Sequence, residues 1–513
     1  MEWRQAKWDE KLIFEYPSLK QSHIVIPFDE EFAHYKEKFL DKVMKRGIMR
    51  LNVDIPNLSE PIVVRHFVRL SQQSYGVDVG PVPLGSCTMK YNPKVCNEAL
   101  RVLDIEEVHP EELDEYVQGL LEILYLLERW LAEITGMDKC SFQPPAGAAG
   151  EFAGALMIKK FHEDRGEHRD EMLIPDSAHG SNPASAAMAG FKIIKIPTSQ
   201  YGTLDLEALK SVVSERTAGL MLTNPNTLGV FEDKILEIAD IVHSAGGLLY
   251  YDGANLNGII GIARPGDMGF DIVHLNLHKT FGAPHGGGGP GGGVVCAKGA
   301  LVEYLPRPLI AFDGTKYYWD YECRRCIGII RAYYGNIPAL IRAFVYIAML
   351  GPEGLREVAE VSVLNTNYFI KKLSKHQSVV GLTHDTFRPR KHETVLSASR
   401  LKKDTGVSAE DVSKRMLDYG IHAPMMYFPL IVDEALMIEF TECEPKFEID
   451  RYVEVLSKTV TEAYRDSNKL KCAPMNTAIS RLDLVRANHP KKLILSWKFK
   501  NEIKELQNEL KHS

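Results

Sequence analysis

Lys279 lies in "HLNLHKTFGAPHGGGGPGGG" (274–293), between His278 and Thr280 and just ahead of a run that is almost all glycine. A lysine amine that is neutral and partly desolvated can trap a carbonyl as a Schiff base. Upstream, the apolar run "LLYYDGANLNG" (248–258) ends in Asp252. An acid there is costly to bury without a cationic partner. "SFQPPAGAAGEFAGAL" (141–156) reads as a strand, a small-residue turn and a helix, with the N–H groups of Ala146, Gly147 and Ala148 free for an anion such as phosphate. "LIPDSAHGSNPASAAMAG" (173–190) carries His179 in a turn, and "LMLTNPNTLGVFE" (220–232) carries Asn224 at a strand end. The combination suits pyridoxal phosphate. The lysine would hold the aldehyde, the aspartate would keep the ring nitrogen protonated, an asparagine would reach the ring oxygen and a flat side chain would cover the ring face.

These residues need strand ends to hold them. Between about 110 and 300, helix-period segments ("ELDEYVQGLLEILYLLERWLAEIT", "LEALKSVVSER", "EDKILEIADIVHSAG") alternate with short apolar runs. The runs are "KCSF", "EMLIP", "FKIIKIP", "GLMLTNP", "GGLLYYD", "DIVHLN" and "GVVCA", several of them continuous as in strands buried on both faces. That pattern predicts an α/β fold with a mostly parallel sheet, whose ligand sits beyond the carboxyl ends of the strands. A long helical stretch at 330–370 then leads to a smaller α/β domain. The expected division is an N-terminal arm at 1–95, a large cofactor-binding domain at 96–345, a small C-terminal domain at 346–470 and a charged tail at 471–513.

Composition sets limits. The 513 residues are 45% hydrophobic and 25% charged, ordinary for a globular protein of more than one structural unit. A net charge of −7 gives no nucleic-acid footprint. The first residues do not read as a signal peptide, and no uninterrupted apolar run approaches the roughly 18 residues that cross a bilayer, so no membrane role is expected. The eight cysteines are scattered and are read as reduced thiols. Only Cys323 and Cys326 make a C-x-x-C, without the second ligand pair that a structural zinc site needs, and no metal is expected.

Seven stretches together carry a resemblance: "PLGSCTMKYNP" (83–93), "QPPAGAAGE" (143–151), "DSAHGSNPASA" (176–186), "TNPNTLGVFE" (223–232), the Lys279 segment, "HAPMMYFPLIVDEALMIE" (422–439) and "NTAISRLDLVRA" (476–487). On these the chain resembles the pyridoxal-phosphate subunit of glycine decarboxylase, the P-protein of the glycine cleavage system. More narrowly, it is similar to the second, catalytic subunit of the two-subunit form. The resemblance implies the fold type I, aspartate-aminotransferase-like architecture with pyridoxal phosphate on Lys279. It implies Asp252 on the ring nitrogen, His179 on the ring face, Asn224 near the ring oxygen, and Asn276 and His278 at the phosphate. Glycine would lose CO2, and its aminomethyl group would pass to the lipoyl arm of H-protein. The partners implied are a companion P-protein subunit 1 in a heterotetramer and the lipoylated H-protein, in the cytoplasm. Phe440 and Gly282 with Ala283 depart from the family's residues, which puts local geometry in question but removes no catalytic group.

Three other readings are open to test. Another pyridoxal-phosphate enzyme, such as an aminotransferase or cysteine desulfurase, would share Lys279 and Asp252 but is not expected to carry "PLGSCTMK". A nucleotide-binding protein would need G-x-x-x-x-G-K-[ST], which is missing. A non-catalytic scaffold subunit would lack the lysine. His285 and the glycine run either line a channel to the cofactor or merely let the chain turn.

Overall fold

All seven apolar runs between 139 and 297 are strands of one sheet. In the computed structural model, which describes residues 3–18, 30–47, 55–109, 111–286, 291–376, 389–490 and 501, they are β1 (Lys139–Ser141), β2 (Glu171–Pro175), β3 (Lys192–Ile196), β4 (Thr217–Thr223), β5 (Leu248–Gly253), β6 (Ile272–Asn276) and β7 (Gly293–Ala297). Glycines 287–289 and nearly all of the charged tail beyond 490 lie outside the described residues.

The sheet order is β1-β7-β6-β5-β4-β2-β3. Strands β3, β2, β4, β5 and β6 run parallel, and β7 is antiparallel to both of its neighbours. Alternate residues of one strand enter different cores, because successive side chains leave opposite faces of a strand. Leu249, Tyr251 and Val273 pack with helices α4 (Gln118–Thr135) and α8 (Ile235–Ser244). Tyr250, Ile272 and Met221 pack with α5 (Gly147–Asp164) and α6 (Ser181–Met188). Burial on both faces explains why these strands read as continuous apolar runs. The edge strand β3 is more exposed and carries Lys192 and Lys195, charges that discourage further pairing.

Helix α9 (Ile337–Ser374) links the large sheet to a second one. Its length and apolar composition would by themselves suffice to cross a membrane. Its inward residues nonetheless belong to protein cores, Leu340, Ala343 and Tyr346 to the larger and Phe369 and Leu373 to the smaller. Gly351, with φ +63° and ψ −174°, breaks it in the middle, ahead of Pro352. The second sheet has the order β10-β12-β11, from β10 (Glu393–Ser397), β11 (Met425–Met426) and β12 (Ala435–Glu439), and is antiparallel. Helices α11 (Ala409–Leu417) and α12 (Lys446–Arg465) cover it. Phe440 is fully buried here, its ring 5.3 Å from both Phe369 and Tyr452.

By packing, the chain divides into residues 76–473 and a unit made of 1–75 with 474–513. In the latter the two ends are joined: Gln5 N–H donates to the Asn476 carbonyl at 3.0 Å, and Ala478 N–H donates to Gln5 Oε1 at 2.9 Å.

The thiol expectation is corrected. Cys140 and Cys296 oppose each other in the β1–β7 pairing, with Cα atoms 3.9 Å apart, and form a disulfide, as do Cys323 and Cys326. The first pair is far apart in sequence, so only strand pairing brings it together. Cys87, Cys96, Cys443 and Cys472 are free.

Phe440→Ala removes the centre of the small core and should cost about 3–5 kcal/mol. A lowered urea midpoint in denaturation followed by circular dichroism would show it, and an unchanged midpoint would contradict this packing.

Candidate active site

Asp252, the last residue but one of β5, has its carboxylate fully enclosed. Oδ2 accepts from Asn182 Nδ2 at 2.8 Å and from Thr223 Oγ1 at 3.2 Å, and Oδ1 accepts from the Ala254 N–H at 2.9 Å. His274, on the neighbouring strand β6, places Nε2 3.4 Å from Oδ1. Burial pushes this carboxyl up, but His274, His179, Lys279 and the Ala254 amide outweigh it and hold it below the usual range. Asp252 is therefore ionised. The next acid, Glu151 of α5, behaves oppositely: burial and then the charge of Asp252 push it up to about 8, so it is protonated at neutral pH. Burial also lowers His274, and a neutral ring fits its contacts. Tyr250 OH lies 2.6 Å from its Nδ1, and Asn276 Oδ1 lies 2.9 Å from its Nε2.

Lys279 lies in the turn after β6, and its Nζ donates to the Ser86 carbonyl at 2.9 Å. Ser86 also hydrogen-bonds His179 through Oγ and Nε2. The His179 ring stacks on Phe428 at 4.9 Å with 14° between planes, so one face is covered. Burial and the charge of Lys279 lower this histidine to about 4, which leaves it neutral.

The expected phosphate turn comes together as well. Gly147 opens α5 after Ala146, with no side chain capping the helix. Asn276, at the end of β6, lies against it so closely that a Cβ on Gly147 would be 1.9 Å from Asn276 Nδ2. His278 has Nδ1 3.1 Å from the Gly292 carbonyl oxygen and meets His285 edge-on at 4.8 Å. Burial lowers both histidines, His278 to about 3 and His285 to about 4. Around Gly291, Gly292 and Gly293 an added Cβ would run into His278, Leu277 and Ala146, so the described end of the glycine run is close-packed chain. Gly282 has φ +66°, and a Cβ there would stand 2.9 Å from the Tyr346 ring, which accounts for the missing bulk after the lysine. Asn224 is differently engaged. Its Oδ1 accepts from the Glu232 N–H at 3.0 Å and its Nδ2 faces Met268 Sδ at 3.9 Å, rather than Asp252 or Lys279.

Several site residues were not singled out in advance: Ser86, Thr88, Glu151, Asn182, His274, Glu393 and Glu439. The available signal was a charged residue inside an apolar strand, as in "HETVLS" and "LMIEF", where an acid requires partners from elsewhere in the fold.

Residues 148–413 match the aminotransferase class-V family model, and 358–479 match the glycine dehydrogenase C-terminal domain. A Pyrococcus abyssi protein named "Probable glycine dehydrogenase (decarboxylating) subunit 2" is 55% identical over 508 residues, covering 98% of this chain and 99% of that one. The chain belongs to the glycine dehydrogenase (decarboxylating) subunit 2 family. A second member, from Sulfurisphaera tokodaii, is 52% identical over 501 residues and covers 98% of each chain. Among solved structures, an inhibitor-bound glycine decarboxylase (P-protein) superposes with a TM-score of 0.72 at 22% identity, over 85% of this chain and 100% of that one. A Lactobacillus brevis glutamate decarboxylase superposes with a TM-score of 0.62 at 15% identity, over 82% and 97%. The architecture of the glycine dehydrogenase family is thus the fold type I framework of pyridoxal-phosphate enzymes.

The residues present fit that cofactor. Glu151 Oε2, Asn182 Oδ1, Thr280 Oγ1 and His285 Nε2 are buried without a hydrogen-bond partner, and an ionised carboxylate, a lysine amine and an uncapped helix N-terminus accompany them. Buried polar atoms are rarely left unpaired, so such a cluster marks a place for a polar group.

Glu151 also makes the stability of the cofactor-free chain depend on pH. Its folded pKa is raised from 4.5 to about 8, so its contribution is complete below pH 4.5 and is lost as pH rises toward 8. Glu151→Gln should remove that part of the decline, seen as a flatter dependence of the urea midpoint on pH. An identical slope in both proteins would refute a protonated Glu151.

Proposed function

We propose that the chain decarboxylates glycine with pyridoxal phosphate held on Lys279 and passes the aminomethyl group to the lipoyl arm of H-protein, as the catalytic subunit of a two-subunit glycine dehydrogenase. The observation that carries the site assignment is the enclosed Asp252 on β5 with Lys279 in the turn that follows the adjacent parallel strand β6. In this reading 96–345 is the cofactor-binding domain, 346–470 the small domain, and 1–95 and 471–513 the arm and tail. The companion is subunit 1, in a heterotetramer of the two subunit types, working in the cytoplasm.

When bound, the cofactor supplies an electron sink for the bond electrons left behind as glycine loses CO2. Asp252 holds the proton on the ring nitrogen, because its own ionised state favours a cation beside it. Neutral His179, backed by Phe428, offers its remaining face to the ring without competing for that charge. The N–H groups of Ala146, Gly147 and Ala148 hold the phosphate from the positive end of α5, with Asn276 and His278 beside them. Asn182 and Thr280, each with an unpartnered buried oxygen, are better placed for the ring oxygen and substrate than Asn224, whose contacts lie elsewhere. Ser86 receives the Lys279 amine when it is not bonded to the cofactor.

Two variants test the assignment. Lys279→Ala should lose all borohydride-fixed cofactor and all glycine-dependent exchange with labelled bicarbonate. Full exchange in that variant would remove Lys279 from its role. Asp252→Asn should keep the cofactor on Lys279 but exchange label about 100-fold more slowly, the scale of losing one fixed electrostatic group. A rate near that of the wild type would mean that Asp252 does not hold the ring proton.

A further inference from the structure

The segment 83–93 is tied to the small domain at alternate residues. Ser86 N–H donates to Glu393 Oε2 at 2.6 Å, Thr88 N–H and Oγ1 donate to Glu439 Oε2 at 3.2 and 3.1 Å, and Lys90 Nζ pairs with Glu442 at 2.7 Å. Glu393 and Glu439 face each other as directly opposed residues of β10 and β12. Both are completely buried, and Glu393 uses its other oxygen to accept from Asn255 Nδ2 at 2.9 Å. The segment begins with a single β-bridge: Leu84 pairs with Ile438 of β12, beyond the two residues that β11 pairs, and a Cβ on Gly85 would lie 2.2 Å from Met437.

Ser86 and Thr88 both have positive φ, +66° and +41°, a conformation that costs non-glycine residues energy and persists only where surroundings enforce it. Here the enforcing groups are the two glutamates. What they hold in place is Ser86, whose carbonyl takes the Lys279 amine and whose hydroxyl takes His179.

We propose that Glu393 and Glu439 are positioning residues for the reaction: through the amides of Ser86 and Thr88 they fix the Ser86 carbonyl and hydroxyl, and through these the geometry of Lys279 and His179. Neither carboxyl needs to touch substrate. The proposal rests on Lys279 being the cofactor lysine.

Shortening each side chain by one methylene keeps a buried carboxyl in place but withdraws the acceptor oxygen. Glu393→Asp and Glu439→Asp, assembled with subunit 1 and H-protein, should still bind pyridoxal phosphate on Lys279, shown by borohydride fixation and mass. Their kcat for glycine–bicarbonate exchange should fall about 100-fold per loaded site, the scale of a misplacement near one ångström, with KM for glycine little changed. The visible circular dichroism of the bound cofactor should change as well, since it reports ring orientation and a purely structural role would leave it alone. Glu439→Gln, which keeps an acceptor at full reach, should restore both to within a few-fold. Wild-type kcat per loaded site and a wild-type dichroic band in both aspartate variants would overturn the proposal, whatever their thermal stability. If instead an aspartate variant fails to fold, Thr88→Val, which removes the hydroxyl bond to Glu439, decides: a wild-type dichroic band and wild-type kcat there overturn the proposal, and a change in both supports it. A wild-type protein that binds the cofactor but exchanges no label would defeat the functional reading alone, because the dichroic comparison still tests the clamp.

Discussion

A carboxylate that must stay ionised inside the protein governs this structure. Asp252 has no access to water, so its charge is stabilised by what surrounds it: three hydrogen-bond donors, a neighbouring imidazole and the lysine. Around it the other titratable groups lose their charge. Glu151 keeps its proton, and His179, His278 and His285 remain unprotonated at neutral pH. The site thus concentrates one acid and one amine in a setting otherwise held neutral. In that low-dielectric setting a fixed charge acts more strongly than in water.

The sheet exists to bring those groups to one edge. Asp252 and Asn276 stand at the ends of adjacent parallel strands, and Lys279 follows in the turn after the second. Helix α5 points its first residues at the same place. Close approach is a condition of this arrangement, and the glycines meet it: Gly147 admits Asn276, and Gly154 lets Tyr250 lie against α5 under His274. The loop after β11 contributes Phe428, and the strap bridged to β12 at Leu84 carries Ser86.

Much of this was legible in the sequence, for definite reasons. Each strand of the large sheet is a continuous apolar run because it is buried on both sides, and the residues that end the strands are those that a ligand at that edge would use. Asp252, Lys279 and the turn of Ala146 to Ala148 were identifiable in this way, whereas the roles of His179, Asn276 and His278 followed only from the resemblance to the family. Asn224 was placed by its position at a strand end, but the turn that follows claims its side chain for Glu232. Glu393 and Glu439 were hidden because their partners lie more than 300 positions away in the chain, as were the cysteines that pair only once β1 and β7 are side by side. Periodicity reports which face of an element is buried. It carries no information about which distant backbone amide an acid will meet.

The short bridge between Leu84 and Ile438 has a consequence for how this molecule can be divided. The smaller sheet borrows part of its edge, and the filling beside Met437, from residues that precede the large domain in the chain. A fragment cut after residue 345 would carry α12, β10 and β12 but would leave that edge bare and two buried acids without their backbone donors. The C-terminal region is therefore not a portable module. Grafted onto another protein, or inherited by recombination, it would have to bring its distant strap with it.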